Sequence, residues 1–365
     1  MTSKVTYTRR AAVCAAASLT LLLAAQTLRA QETKEKVSVD DVDRTFLLRL
    51  PAGYDAQHHY PVVIMLHAMN QDPDDIERLT EFNQLADKDG IIVVYPAALH
   101  GRWNIGVRPQ EHRSMMGPGG GRRRWGGGYP GGGGGGGGYP GGGGGGYPGG
   151  QRPSQQPEQE HHTATADDIA FFNQMLDQVA TKASVDSSRI YAVGLSDGGF
   201  MSMRAGCALS DRIAAVGVVG ATMPKNMICL PGRAVPVVMI NGTSDPVVPY
   251  GGGTEHILDI SVLSAEDSAK AWAKINHCSD KPERTKMAEH GKGSMETKID
   301  TFNGCQENAQ VVLYSIKGAG NTWPGGEQYE AENAVGKTSA DLNANETLWS
   351  FLVTRKLQPK TASSQ

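Results

Sequence analysis

One stretch constrains this chain more than any other. Arg189-Ile-Tyr-Ala-Val193 is a short apolar run, Gly194-Leu-Ser-Asp-Gly-Gly199 a glycine-rich turn, and Phe200-Met-Ser-Met-Arg-Ala-Gly-Cys207 the opening of a helix. A strand that turns sharply into a helix at G-x-S-x-G lifts the serine hydroxyl clear of a sheet. It also aims the helix N-terminus, with its unpaired N–H groups, at whatever forms beside that hydroxyl. Ser196 is therefore the candidate nucleophile, and the backbone N–H of Asp197 a candidate oxyanion donor.

Such a turn needs a buried sheet around it, and the sequence supplies the strands. Pro61-Val-Val-Ile-Met-Leu66 and Ile91-Ile-Val-Val-Tyr95 are continuous apolar runs, as expected of strands covered on both faces. Further strands are predicted at Ile190 to Val193, Ala214 to Val219, Val235 to Ile240 and Val311 to Ile316. Helices fit at Pro73 to Lys88, Asp167 to Ala183, Leu263 to Ile275 and Ala340 to Val353. Alternating polar and apolar residues from Val37 to Leu50 read as an antiparallel edge strand or hairpin. The alternation of strands and helices implies an α/β fold: a mostly parallel, doubly wound sheet with helices on both faces.

Two segments stand outside that core. Residues 1–30 read as an export signal, with Lys4, Arg9 and Arg10 before an apolar run and a cleavage point after Ala30. Leu28 is a poor residue for the cleaving peptidase, so an uncleaved N-terminal anchor is the other reading. Residues 31–365 form the predicted single domain, interrupted at about 108–161. Within that interruption, 23 of the 46 glycines fall between Gly117 and Gly150, punctuated by Tyr-Pro pairs. Such composition buries too little apolar surface to offset the entropy of ordering it, so disorder is expected there. The Arg122 to Arg124 cluster inside it is of a type that binds polyanions, but a net charge of −3 on an exported chain favours a flexible surface insertion with no nucleic-acid partner. After removal of the signal no membrane association is expected.

Cysteine usage agrees with an oxidising, secreted or periplasmic location. Loss of Cys14 with the signal leaves Cys207, Cys229, Cys278 and Cys305, for which three connectivities exist. The sequence-local pairs, Cys207 with Cys229 and Cys278 with Cys305, are favoured because each closes a loop of moderate length. No spacing suggests a metal site, and no nucleotide or flavin motif is present, so no cofactor is expected.

A serine nucleophile needs an acid to orient its base and a loop of oxyanion donors. Asp245, just past an apolar strand in Asn241-Gly-Thr-Ser-Asp245-Pro-Val-Val-Pro-Tyr250, is the acid candidate. The loop after the first buried strand, Leu66-His67-Ala68-Met69-Asn70-Gln71, offers the backbone N–H groups of Ala68 and Met69.

Taken with Trp103-Asn104, Asp167-Asp168-Ile169, Ala271-Trp272 and Trp323-Pro-Gly325, these segments resemble the secreted polyhydroxybutyrate depolymerase and feruloyl esterase family, from about Val37 to Leu357 outside the glycine insertion. The resemblance implies an α/β-hydrolase with a Ser-Asp-His triad that cleaves esters of polyesters or of phenolic acids on plant polysaccharide. It implies Ser196 as nucleophile, Asp245 as acid, and Trp103 and Trp323 near the site as substrate contacts. The family's Gly-His-x-Trp-Pro-Gly, however, reads Gly320-Asn321-Thr322-Trp323-Pro324-Gly325 here. An amide does not titrate near neutral pH and cannot take the proton of Ser196. Ala68 stands where the family has glycine, a strain if that position needs a positive φ, and Asn241 where it has histidine. His100, after the second buried strand, and His256, after the Asp245 loop, are candidate relocated bases. Two readings follow: an exported carboxylic-ester hydrolase with a relocated base, or a binding protein for an ester, aromatic or glycan ligand on a hydrolase scaffold.

Overall fold

The computed structural model describes residues 30–107, 167–255, 257–288 and 294–358. The predicted signal at 1–30 (Ala30 excepted), the glycine-rich insertion and His256 lie outside the described residues. Six strands run parallel through the middle of the sheet: β3 (Tyr60–Leu66), β4 (Ile92–Pro96), β5 (Val185–Leu195), β6 (Ala215–Val219), β7 (Val237–Gly242) and β12 (Val311–Ile316). They are the apolar runs of the sequence, and almost every residue in β3, β4, β6 and β7 is buried.

The antiparallel strands sit at the two edges. β1 (Gln31–Val39) and β2 (Val42–Leu50) form a hairpin whose two turn residues, Asp40 and Asp41, both take positive φ (50° and 64°), as a tight two-residue turn requires. At the far edge are β10 (Glu283–Lys286) and β11 (Thr297–Phe302), giving the order β1-β2-β4-β3-β5-β6-β7-β12-β11-β10. A separate small hairpin pairs β8 (Gly253–Glu255) with β9 (Ile260–Val262). The strands β8 to β11 were not legible: β10 is wholly exposed, the three- or four-residue strands β8, β9 and β10 carry no readable period, and the six-residue β11 is mostly polar and only partly buried.

Side-chain alternation in β3 divides the core in two. Val62, Ile64 and Leu66 face one layer, with Phe172 of α3 (Asp168–Lys182), Phe200 of α4 (Asp197–Ala208) and Trp272 of α5 (Ala265–Ile275). Val63 and Met65 face the other, with Ile76 of α1 (Pro73–Thr80), Phe82 of α2 (Phe82–Asp89) and Trp349 of α7 (Ala344–Leu352). A short helix, α6 (Glu332–Val335), precedes α7. The single helix expected from Pro73 to Lys88 is broken at Glu81, which has φ 50°. Thr80 helps to break it: its hydroxyl donates to Ile76 O and accepts from Phe82 N, competing with the helical ladder. Other boundaries follow side-chain caps, with Asp167, Ser264 and Asn343 each accepting from backbone N–H groups of the helix that follows. Two disulfides form, Cys207–Cys229 and Cys278–Cys305. No described helix is long and apolar enough to cross a membrane.

Candidate active site

Steric need, more than hydrogen bonding, shapes the turn between β5 and α4. Ser196 has φ 55° and ψ −114°, a strained pair for a residue with a side chain. Close approach of the backbone imposes it. A Cβ on Gly194 would stand 2.2 Å from Gly198 O, and one on Gly198 would stand 2.2 Å from Leu66 O. The Ser196 N–H is tied to Val219 O at 2.8 Å. Its hydroxyl makes no hydrogen bond among the described residues.

Beside it, Asp197 heads α4, where its N–H has no carbonyl four residues back to accept it. The loop after β3 divides its two candidate donors. Ala68 N donates to Gln71 Oε1 at 3.1 Å and is occupied, whereas the Met69 N–H has no partner among the described residues. Alanine at 68 brings no backbone strain: the positive φ in this loop belongs to Asn70 (57°), whose N–H is held by Gly101 O. His67 is buried and both its nitrogens are engaged. Nε2 accepts from Ala98 N, so the proton sits on Nδ1, which donates to Ala68 O. Burial holds its pKa below the ordinary value. It braces the loop as a neutral ring.

Trp103 and Trp323 correct an expectation. They form no aromatic wall open to a ligand, being 4% and 1% exposed. The Trp103 indole donates to His67 O and packs on Phe172, while Trp323 donates to Asn345. The backbone around Trp103 matters more. Trp103 N donates to Asp197 Oδ2 at 2.9 Å, and Asn104 N to Asp168 Oδ2 at 2.7 Å. Asp168 is in turn ion-paired with Arg44 in the core. The segment is thus lashed to the first turn of α4 and to α3.

Asp245 and Asn321 are brought together. Asp245 Oδ1 accepts from Val247 N and Val248 N, both at 2.8 Å, and Oδ2 accepts from Asn321 Nδ2 at 2.8 Å. The same Nδ2 donates to Gly220 O, which fixes the amide orientation. Asn321 is fully buried, and its Oδ1 has no partner. Asn241 donates from Nδ2 to Ala221 O and likewise leaves Oδ1 unpartnered. Burial pushes the Asp245 carboxyl up to about 6 despite these donors, and that of Asp197 to about 7.

A third carboxylate acts here that the sequence reading missed. Glu255, 2% exposed at the end of β8, accepts from Ile257 N and Leu258 N, and its charge adds to the upward shift of both Asp197 and Asp245. Only the fold returns β8 to the Ser196 end of the sheet, so no local pattern could have marked it. Among the described residues no cluster of side chains could hold a metal ion. His100 is exposed, in a short 3-10 turn (Leu99–Gly101) with φ 54°, and makes no hydrogen bond among the described residues.

The phospholipase/carboxylesterase family matches residues 151–292, a stretch that holds Ser196 and Asp245. A feruloyl esterase B of Piromyces equi is 36% identical over 152 residues, 38% of this chain and 28% of that protein. A bifunctional acetylxylan esterase/xylanase of Neocallimastix patriciarum is 21% identical over 271 residues, 72% of this chain and 29% of that protein. The chain has the α/β-hydrolase fold and is similar to feruloyl esterases over the matched stretch. It spans under a third of the length of these two relatives. Among solved structures, an acetyl xylan esterase from Aspergillus awamori superposes with a TM-score of 0.48 at 12% identity, over 80% of this chain and 94% of that one.

For an α/β-hydrolase, the arrangement leaves one role open. A hydroxyl on a strained turn, two N–H groups without a carbonyl partner and a buried acid lie at the same end of the sheet. The group hydrogen-bonded to that acid is an amide.

Proposed function

We propose that this α/β-hydrolase is an exported carboxylic-ester hydrolase, with residues 1–30 as its signal and Ser196 as its nucleophile. The observation that carries the reading is the Ser196 turn, held at φ 55° by contacts that only glycine permits at 194 and 198. In the reaction Ser196 Oγ attacks the ester carbonyl, and the N–H groups of Met69 and Asp197 hold the oxyanion. Collapse expels the alcohol and leaves an acyl-enzyme, which water then hydrolyses.

The proton of Ser196 goes to a base other than Asn321, and His256 is assigned that role. Support comes from its chain neighbour: Glu255 is buried, its charge acts on both Asp197 and Asp245, and His256 is the next residue. Asp245 keeps the acid position of a triad, with Asn321 as its hydrogen-bond donor. The relatives' names, feruloyl esterase and acetylxylan esterase, support esters borne on plant polysaccharide as substrates, and polyesters fit the same chemistry. The two disulfides support export.

Hydrolysis of a short p-nitrophenyl ester tests this. Ser196→Ala is expected to lower kcat by about a million-fold, to the level left by binding and the oxyanion donors. His256→Gln is expected to cost about 10² to 10⁴, and His100→Gln to cost nothing. An inactive wild type that binds esters equally well before and after Ser196→Ala supports the second reading, a ligand-binding protein, which the non-titrating Asn321 favours.

A further inference from the structure

The 3-10 turn at Leu99–Gly101 ends on Arg102, whose N–H closes back on Leu99 O at 3.2 Å. Arg102 is extended, with φ −136° and ψ 138°. In extended chain, successive side chains point to opposite sides. Trp103 points into the core, and its N–H is bonded to Asp197, so Arg102 points out to solvent beside the residue that follows Ser196. Its guanidinium is close enough for its charge to oppose the upward shift of the Asp197 carboxyl.

Arg102 is also the one arginine among the described residues without a hydrogen-bond or ion-pair partner. Every other one donates to a carboxylate or a carbonyl. A guanidinium is a planar fork of donors suited to a carboxylate. Here it lies next to the Trp103–Asp197 hydrogen bond with no partner among the described residues. Asp197, Asp245 and Glu255 nearby are buried and bonded to backbone N–H groups. Among the described residues, Arg102 is thus an exposed, unpaired cation beside the Ser196 turn.

We infer that Arg102 is a specificity residue that selects esters carrying a carboxylate on the acyl or the alcohol part. The inference rests on the hydrolase reading of Ser196 and names the substrate class of that site. Two pairs of probes separate the sources of the carboxylate. p-Nitrophenyl hemisuccinate against p-nitrophenyl butyrate places it on the acyl side, and 4-acetoxybenzoate against phenyl acetate places it on the alcohol side. The readout is the ratio of kcat/KM for the anionic ester to that for its neutral partner, which is indifferent to an overall loss of activity. Arg102→Gln is expected to lower that ratio about tenfold in one pair, the worth of one charge-assisted hydrogen bond. Arg102→Glu lowers it further, Arg102→Lys retains part of it, and roughly 0.5 M salt lowers the wild-type ratio in the same direction. A ratio unmoved by Arg102→Gln in both pairs overturns the inference.

If no ester is turned over, the hydrolase reading fails by itself, and calorimetry of monomethyl succinate binding decides this one. Affinity lost in Arg102→Gln sustains it, and equal affinity, or no binding by wild type, overturns it.

Discussion

The Ser196 turn and the loop that carries Asn321 lie at the same end of the sheet and are both buried, yet only one of them bears a group with the chemistry that the proposed triad asks of it. At the turn, shape and chemistry agree. Glycine contacts hold Ser196 at φ 55°, and free N–H groups flank a free hydroxyl. At the loop, shape is kept without the chemistry: Asn321 donates to Asp245 as a triad base would, but its remaining atom, Oδ1, is a carbonyl oxygen that accepts hydrogen bonds and not protons at neutral pH. The difference teaches that an amide can satisfy a buried carboxylate through a hydrogen bond without being able to take a proton.

The strongest way to break this comparison is to return a base to the deficient side. In a His256→Gln background, Asn321→His is expected to raise kcat on a p-nitrophenyl ester by about 10² to 10⁴. No gain would mean that the Asn321 loop does not address Ser196 at all. On the other side, Gly198→Ala puts a Cβ 2.2 Å from the Leu66 carbonyl oxygen. It should cost about 3 kcal/mol or more, read by denaturant titration, and remove activity along with stability. A variant of native stability would show that backbone crowding does not hold the turn.

Titration sharpens the comparison with a smaller effect. Asp197 and Asp245 have folded pKa values of about 7 and about 6, raised from an ordinary 3.8. The folded state therefore binds their protons more tightly than the unfolded chain does. Their contribution to stability is fully present below about pH 4 and is lost as pH rises through 6 and 7. The melting temperature should fall by a few degrees over that window, and Asp197→Asn should flatten the fall. Ester hydrolysis should rise with pH through about 6 as Asp245 ionises, and a flat profile between 5 and 7 would remove Asp245 from the mechanism.

Much of the scaffold was legible along the chain. The parallel strands came from apolar runs such as Pro61 to Leu66, because a strand covered on both faces has no polar side to show. The Ser196 turn came from the spacing of Gly194, Ser196 and Gly198, although only Gly194 is crowded from within the turn, Gly198 being crowded by Leu66 and His67. Helix limits erred where a single side chain intervened, as Thr80 did between α1 and α2.

What the chain order determined by itself was therefore local: strand type, the turn at Ser196, and the identity of Asn321 beside a Trp-Pro-Gly. What tertiary structure decided was which distant groups share a space. It turned the Trp103 and Trp323 rings inward to pack, left Arg102 outward and unpaired, and brought Glu255 close enough to Asp197 and Asp245 for its charge to act on both. Burial and charge coupling depend on separations through space, which periodicity along the chain does not encode.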